Sequence, residues 1–267
     1  MQLPQILATV AAAVALVPAA HADDNWSFKN VSINYLDWTG RTVERTGKGP
    51  GSFGVKKDFT YLELEGGAGG KWGDVYGFFD VENPTKDSHN AADGAKDLRY
   101  AMKVVGHYNL TEAGGLPVQL YGHIYNFMDD GFRDQNNVFG LSTAISSGGF
   151  WIKPFLGAHY ETKTDLGTQY NGLMGGWVLG YSFKAMDQSF MLTNWHETEM
   201  GRKSQYLQMA RDGSVMTANK TAQNGAVSLW WNATPMFTTG ITYRYAKNKL
   251  GSATYQDGFI YTAKINF

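Results

Sequence analysis

The chain has 267 residues and no cysteine. Its 23 basic and 24 acidic side chains leave a formal net charge of −1. Zinc–thiolate centres, cysteine nucleophiles and a disulfide framework are therefore excluded, and bulk charge draws the chain neither to nucleic acid nor to an anionic membrane surface. Aromatic residues make up 14% and glycines number 32, yet nowhere after residue 22 is there a run of the roughly twenty apolar residues that a membrane helix needs. A span built from alternating strands escapes that test, because half of each strand faces water.

Residues 6–17, ILATVAAAVALV, form a short apolar run. Pro18 and the small-residue triplet Ala20-His21-Ala22 follow, an A-x-A processing signal. The five residues before the run, MQLPQ, contain no Lys or Arg, so the terminal amine alone supplies positive charge there. The run is too short to cross a bilayer as a helix. Residues 1–22 are read as a cleaved signal peptide, leaving one exported domain of 23–267.

From residue 25 onward, apolar side chains recur with a period of two, the alternation of a β-strand. The pattern predicts twelve strands, at 25–38, 58–65, 72–81, 98–108, 117–127, 138–147, 150–160, 171–183, 188–197, 222–231, 237–247 and 258–267. Most have about the ten residues that a tilted membrane strand needs. The rows assigned outward include Leu62 and Leu64, then Val75, Phe79 and Val81, then Leu120 and Ile124. Further along are Ile152, Leu156 and Tyr160, then Trp177, Leu179, Tyr181 and Phe183. Val227, Leu229 and Trp231, and then Phe237, Ile241, Tyr243 and Tyr245, complete them. Aromatics gather at the strand ends, where the interfacial girdles of a barrel lie.

The predicted connections alternate. Long ones (39–57, 82–97, 128–137, 161–170, 198–221, 248–257) follow odd-numbered strands, and short ones (66–71, 109–116, 148–149, 184–187, 232–236) follow even-numbered strands. Breaker residues support three of the short ones, GGAGG at 66–70, SSGG at 146–149 and NATP at 232–235. The expected fold class is all-β: a twelve-stranded antiparallel transmembrane β-barrel with short periplasmic turns and long extracellular loops. A soluble sandwich has no reason to sort its connections in this way.

The last nine residues, FIYTAKINF, keep the alternation to Phe267 with Ile260 as the one exception. In a closed barrel the last strand pairs with the first, so it cannot fray without opening an edge in lipid. Phe267 is expected among the interfacial aromatics at the short-turn rim.

The inward rows carry the candidate chemistry. Tyr61, Glu63, Asp74, Tyr76, Phe78 and Asp80 come from the second and third strands, Arg99 and Lys103 from the fourth, and Tyr121, His123 and Tyr125 from the fifth. Trp195 and Arg244 come from later strands. Aromatic faces suit a flat, partly apolar solute, since stacking contributes about 1–3 kcal/mol per base; carboxylates and amides suit sugar hydroxyls. The same rings and charges also fill a narrow barrel without any ligand. His107, His123 and His159 have no metal-binding spacing and read as polar lumen residues. Glu161, Glu197 and Glu199 are expected to be solvated rim charges. With no G-x-S-x-G and no phosphate loop, no catalytic residue, metal or cofactor is assigned. Two alternatives to a channel remain: a receptor or adhesin barrel acting through its loops, and an outer-membrane hydrolase, for which the outward rows lack a His–Ser pair.

Residues 58–84, DFTYLELEGGAGGKWGDVYGFFDVENP, resemble the nucleoside-specific channel-forming outer-membrane proteins, Tsx, and their OmpK-like relatives. The match lies in Asp58, then Tyr61-Leu62-Glu63, a short turn, and Asp74, Tyr76, Gly77 and Asp80 of a W/F-D-x-Y-G-x-x-D strand. FMLTNWHE at 190–197 is a weaker echo. The resemblance implies a monomeric barrel in the bacterial outer membrane, in contact with lipid, that passes nucleosides by diffusion without a cofactor. It also implies that Tyr61, Glu63, Asp74, Tyr76 and Asp80 line the lumen, that loops serve as phage receptors, and that the assembly machinery reads the strand ending at Phe267.

Overall fold

A computed structural model describes residues 25–46, 55–85, 98–129, 131–207 and 218–267. The expected signal peptide lies outside the described residues. Thirteen strands follow one another: β1 (Trp26–Trp38), β2 (Phe59–Gly70), β3 (Gly73–Glu82), β4 (Arg99–Ala113), β5 (Leu116–Asp129), β6 (Phe132–Ser142), β7 (Ile145–Ser147), β8 (Phe150–Lys163), β9 (Gly167–Ala185), β10 (Gln188–Met200), β11 (Ala222–Asn232), β12 (Phe237–Lys249) and β13 (Ser252–Asn266). β6 and β7 both pair with β8. They are two parts of one stave interrupted at 143–144, so the strands make twelve staves. Every neighbouring pair is antiparallel. β1 closes the cylinder on β13, with Tyr35 opposite Tyr261.

The burial pattern inverts that of a soluble protein. On β1, Asn30, Ser32 and Asn34 are buried while Val31, Ile33 and Tyr35 are exposed; on β11, Asn224 and Ser228 are buried while Val227, Leu229 and Trp231 are exposed. A hydrophobic outer band over a polar interior is the surface of a protein solvated by lipid. Among the described residues no helix is long and apolar enough to cross a membrane; the strands do so. The expected outward rows all lie on this outer face. Two levels of rings border it: Trp177, Tyr243 and Tyr255 toward one rim, and Tyr181, Trp231, Phe237 and Phe267 toward the other. Phe267 sits at the short-turn rim as expected, its N–H donating to the Lys29 carbonyl at 3.1 Å and Lys29 Nζ lying 5.4 Å from its ring centre.

Three of the predicted long connections are corrected. β5 runs to Asp129 and β6 starts at Phe132, β8 and β9 meet across Thr164–Leu166, and β12 and β13 across Leu250–Gly251. The alternation marks only the part of each strand that touches lipid. Above it the ladder continues in water, with polar residues on both faces and no period to read. The long connections are those after β1, β3 and β10. Their residues 47–54, 86–97 and 208–217 lie outside the described residues.

The GGAGG run is also corrected, because it belongs to β2 and not to a turn. Gly67 and Gly69 stand opposite Phe28 and Trp26, whose rings occupy the space that a Cβ would take. The turn is Lys71–Trp72. By contrast, the Gly114–Gly115 pair (φ +60° and +78°) makes the two-residue hairpin that needs positive φ at both central positions.

Two pieces of the long connections fold over the barrel mouth. Helix α1 (Gly40–Thr46) is capped by Thr39, whose Oγ1 accepts from the Thr42 N–H at 3.2 Å. It is tied to β13 by Thr42 and Thr39 hydroxyls on the Asp257 carboxylate, at 2.9 and 2.7 Å. Its Val43 packs against Leu36, Trp38 and Ile260; Ile260, the exception in the terminal alternation, faces inward here. On the opposite side Tyr206 is fully buried, its hydroxyl donating to the Glu161 and Gly167 carbonyls.

Leu229→Arg places a charge on the lipid face between the two ring levels and is expected to cost about 2–4 kcal/mol. The loss is read as a lower urea midpoint for refolding into vesicles, while Ser228→Ala on the inner face changes that midpoint less.

Candidate functional site

The inner wall is organised around ion pairs that cross the lumen. Lys103 on β4 bonds Glu197 on β10, with four staves between them on the shorter way round. Lys153 on β8 reaches Asp74 on β3 at 2.7 Å, and the same carboxylate takes His107 Nδ1 at 2.8 Å. Lys249 and Arg202 both pair with Glu199, and Lys264 pairs with Glu65 at 2.8 Å. Each charge is withdrawn from bulk water, so each needs an opposite partner close by.

One side of the lumen is filled with rings. Tyr121 stacks on Phe155 at 4.3 Å between ring centres and donates to or accepts from His123 Nδ1 at 3.0 Å. Together with Met174 these groups bury Val138 completely. The opposite wall, on β11, β12, β13 and β1, carries small polar side chains. Thr242 donates to Ser228 at 2.8 Å, Thr262 to Asn34 at 2.6 Å, and Asn34 to Ser32 at 2.8 Å. Longer side chains reach over this wall: Arg244, 5.1 Å from the Trp195 ring and 3.2 Å from Asn224 Oδ1, and Lys264, 4.1 Å from the Trp230 ring.

All thirteen residues singled out in the sequence lie on inward rows. Tyr61, Glu63, Asp74, Tyr76, Phe78 and Asp80 share the β2–β3 hairpin, with Glu63 opposite Asp80. Tyr76 donates to Glu65 at 2.8 Å. Arg99 pairs with Glu82 at 2.7 Å and lies 4.6 Å from the Phe59 ring. Trp195 sits between Lys103 and Arg244. Tyr121 and His123 belong to the packed side, and Tyr125, further along the same strand, lies within electrostatic reach of Glu82 and Arg244. The three histidines do not meet one another: His107 goes to Asp74, His123 to Tyr121 and His159 Nε2 to Asn136 at 2.8 Å. The expectation of solvated rim acids is corrected. Glu161, Glu197 and Glu199 are buried and anchored by Lys163, Lys103 and Lys249 respectively, because the strands and the folded-in connections rise past them.

Sequence reasoning missed a lower tier of inward rings: Trp26 and Phe28 on β1, Trp151 on β8 and Trp230 on β11. Each tryptophan lies over a glycine of the next strand, at Gly69, Gly180 and Gly240, as rings do when they cover the gap a missing Cβ leaves. A glycine placed across a hairpin from an inward tryptophan was the available signal. Lys56 was missed too, since it lies in a connection. It comes in over the Trp38 ring and donates to the Leu250 carbonyl at 2.7 Å. Burial, together with Arg99 and Arg244 nearby, pulls its ammonium down to about 8.

The family model described as nucleoside-specific channel-forming protein, Tsx, matches residues 33–267. The chain belongs to this family. As a Tsx-family protein with a closed lipid-facing barrel, it is a passive channel of the bacterial outer membrane, not an enzyme. It contacts outer-membrane lipid and passes small solutes. Three solved structures are loosely similar to it. A bacterial polysaccharide outer membrane secretin has 8% identity and a TM-score of 0.43, covering 90% of this chain and 98% of that one. The channel DcaP of Acinetobacter baumannii has 11% and 0.36, covering 91% and 96%. OmpT of Vibrio cholerae lacking loop L8 has 9% and 0.37, covering 92% and 100%.

Two measurements follow from this geometry. Removing both ends of a cross-lumen bridge, Lys103→Ala with Glu197→Ala, is expected to raise single-channel conductance; the double change leaves no buried charge unpaired. Lys56 carries its proton below about pH 8 and loses it above. Raising pH from 7 to 9 therefore removes a positive charge from the Tsx-family channel's mouth and shifts the reversal potential toward cations, and Lys56→Met abolishes the shift. Between pH 8 and the ordinary lysine range the unfolded chain binds the proton that the folded one has released, so the folded mouth gains stability as pH rises.

Proposed function

We propose that the channel passes nucleosides by diffusion, the base against aromatic faces and the ribose hydroxyls against charged and amide groups. The family match over residues 33–267 carries this reading. The wall assigned to the solute comprises Tyr61, Glu63, Asp74, Tyr76, Phe78, Asp80, Arg99, Lys103, Tyr121, His123, Tyr125, Trp195 and Arg244. Its chemistry suits the role: rings that are half exposed to the lumen, such as Tyr61, Tyr76, Phe78 and Trp195, are interleaved with donors and acceptors. Several weak stations along one path let a solute enter and leave.

The same proposal takes residues 1–22 as a removed export signal and the protein as a monomer. The strand ending at Phe267 presents the signal read by the assembly machinery, and the connections after β1, β3 and β10 are the surface a phage would contact.

In planar bilayers, adenosine at millimolar concentration is expected to block the KCl current; absence of any block by nucleosides rejects the reading. Tyr76→Ala and Trp195→Ala are each expected to weaken the block by about 1–3 kcal/mol, the contribution of one stacked face, with the barrel still assembled.

A further inference from the structure

The hairpin β2–β3 places four carboxyl groups on the lumen side: Glu63, Glu65, Asp80 and Glu82. Two of them are matched. Glu65 takes Lys264 at 2.8 Å, with Asn30 and Tyr76 as further donors, and Glu82 takes Arg99 at 2.7 Å. The other two, Glu63 and Asp80, face each other directly across the hairpin, a position in which like charges destabilise a sheet. Asp80 is only 8% exposed, and its Oδ1 has no hydrogen-bond partner. The charges that bear most on it are Glu63, Glu82 and Glu65, all acidic. Glu63 takes a weak bond from Ser32 Oγ at 3.4 Å and otherwise lies within hydrogen-bonding reach of Asp80 itself. Lys264, the base that bears on it, is already bonded to Glu65.

Two carboxylates in this position do not both stay ionised without a positive charge or a shared proton between them. We propose that Glu63 and Asp80 form a subsite for an organic cation, an ammonium or guanidinium group on a solute small enough to enter the lumen. A guanidinium spans two carboxylates with its own geometry, and the aromatic side chains next along each strand on the same face, Tyr61 and Phe78, are suited to a cation above a ring. A divalent metal is the poorer occupant, since no group of three or more acid or histidine ligands suited to a metal occurs among the described residues. When the cation takes the place of a shared proton, the Asp80 oxygen that has no partner supplies an acceptor and the two carboxylates together supply the attraction. The channel thereby accepts amine-bearing solutes, a class separate from neutral nucleosides, and the inference does not rest on nucleoside passage.

The test is a planar-bilayer recording of the full barrel in KCl with methylguanidinium, and then ethylammonium, as the probe. Wild-type protein is expected to show a concentration-dependent block by methylguanidinium at millimolar levels and a reversal potential favouring cations. Glu63→Gln and Asp80→Asn are each expected to weaken the block at least tenfold. Folding of each variant is checked by heat-modifiable mobility in electrophoresis, and if one does not assemble the other reads the site. No block of the wild type by either probe overturns the proposal, as does a block that both variants retain. A wild type whose current responds to pH through these two residues but not to either probe also overturns it, since a shared proton then fills the site.

Discussion

Every peptide N–H and C=O at membrane depth must find its partner inside the protein, because hydrocarbon offers none. The seam between β1 and β13 satisfies that demand over the register from Asn30–Asn266 to Trp38–Gly258. Once the cylinder is closed, strand pleating assigns each side chain to lipid or lumen wherever no bulge interrupts the ladder. Val31, Ile33 and Tyr35 go outward because Asn30, Ser32 and Asn34 go inward. A shift of one residue at the seam would exchange the two sets. The terminal phenylalanine, the first strand's polar alternates and the β2–β3 hairpin are therefore not separate features. They are consequences of one closed ladder.

Closure also creates an interior problem. Twelve staves enclose a space that charged side chains must share at low dielectric, and isolated ions there are costly. The solution is opposite charges brought from distant strands, Lys103 to Glu197 and Lys153 to Asp74. These contacts join parts of the cylinder that share no ladder. They stiffen the cross-section and narrow the passage at once, so stability and permeation are set by the same side chains. Among the described carboxylates of the β2–β3 hairpin, the matching fails at the Glu63–Asp80 pair, on the stretch whose sequence carries the family resemblance.

Much of this was legible in the sequence. All twelve staves were, as were the two faces of each, because lipid selects a period-two pattern strongly where it touches the strand. Leu62 and Leu64 could be placed outward, and Glu63 and Glu65 inward, from their order alone. What could not be read is whatever lies above the lipid or depends on partners far apart in the chain. The strand ends that lead to Asp129 and Phe132 and to Leu250–Gly251 lie above the lipid and carry polar residues on the inner face as well as the outer, so no alternation marks them as strand. GGAGG looked like a turn because its glycines answer to Trp26 and Phe28, some forty residues earlier, and not to local conformation. Glu197 and Glu199 looked solvated because Lys103 and Lys249 lie on other staves.

The two sides of the lumen differ in what must move for a solute to pass. On β5, β6 and β8 the filling is rigid: Tyr121 on Phe155 over Val138 and Met174, a packed cluster whose displacement would open a cavity. On β11, β12, β13 and β1 the wall itself is small and fixed by its own hydroxyl and amide bonds. The space above it holds Arg244, Lys264, Glu63 and Glu65, long side chains anchored at one end. Rotating such a chain exchanges one hydrogen-bonding partner for another and leaves the packed cluster intact. A polar solute offers those partners, a ring included, whereas an apolar one does not. For the channel proposed above, the small-residue wall is thus the side on which a solute displaces the fewest packed groups, with Tyr121 and His123 as its fixed backing.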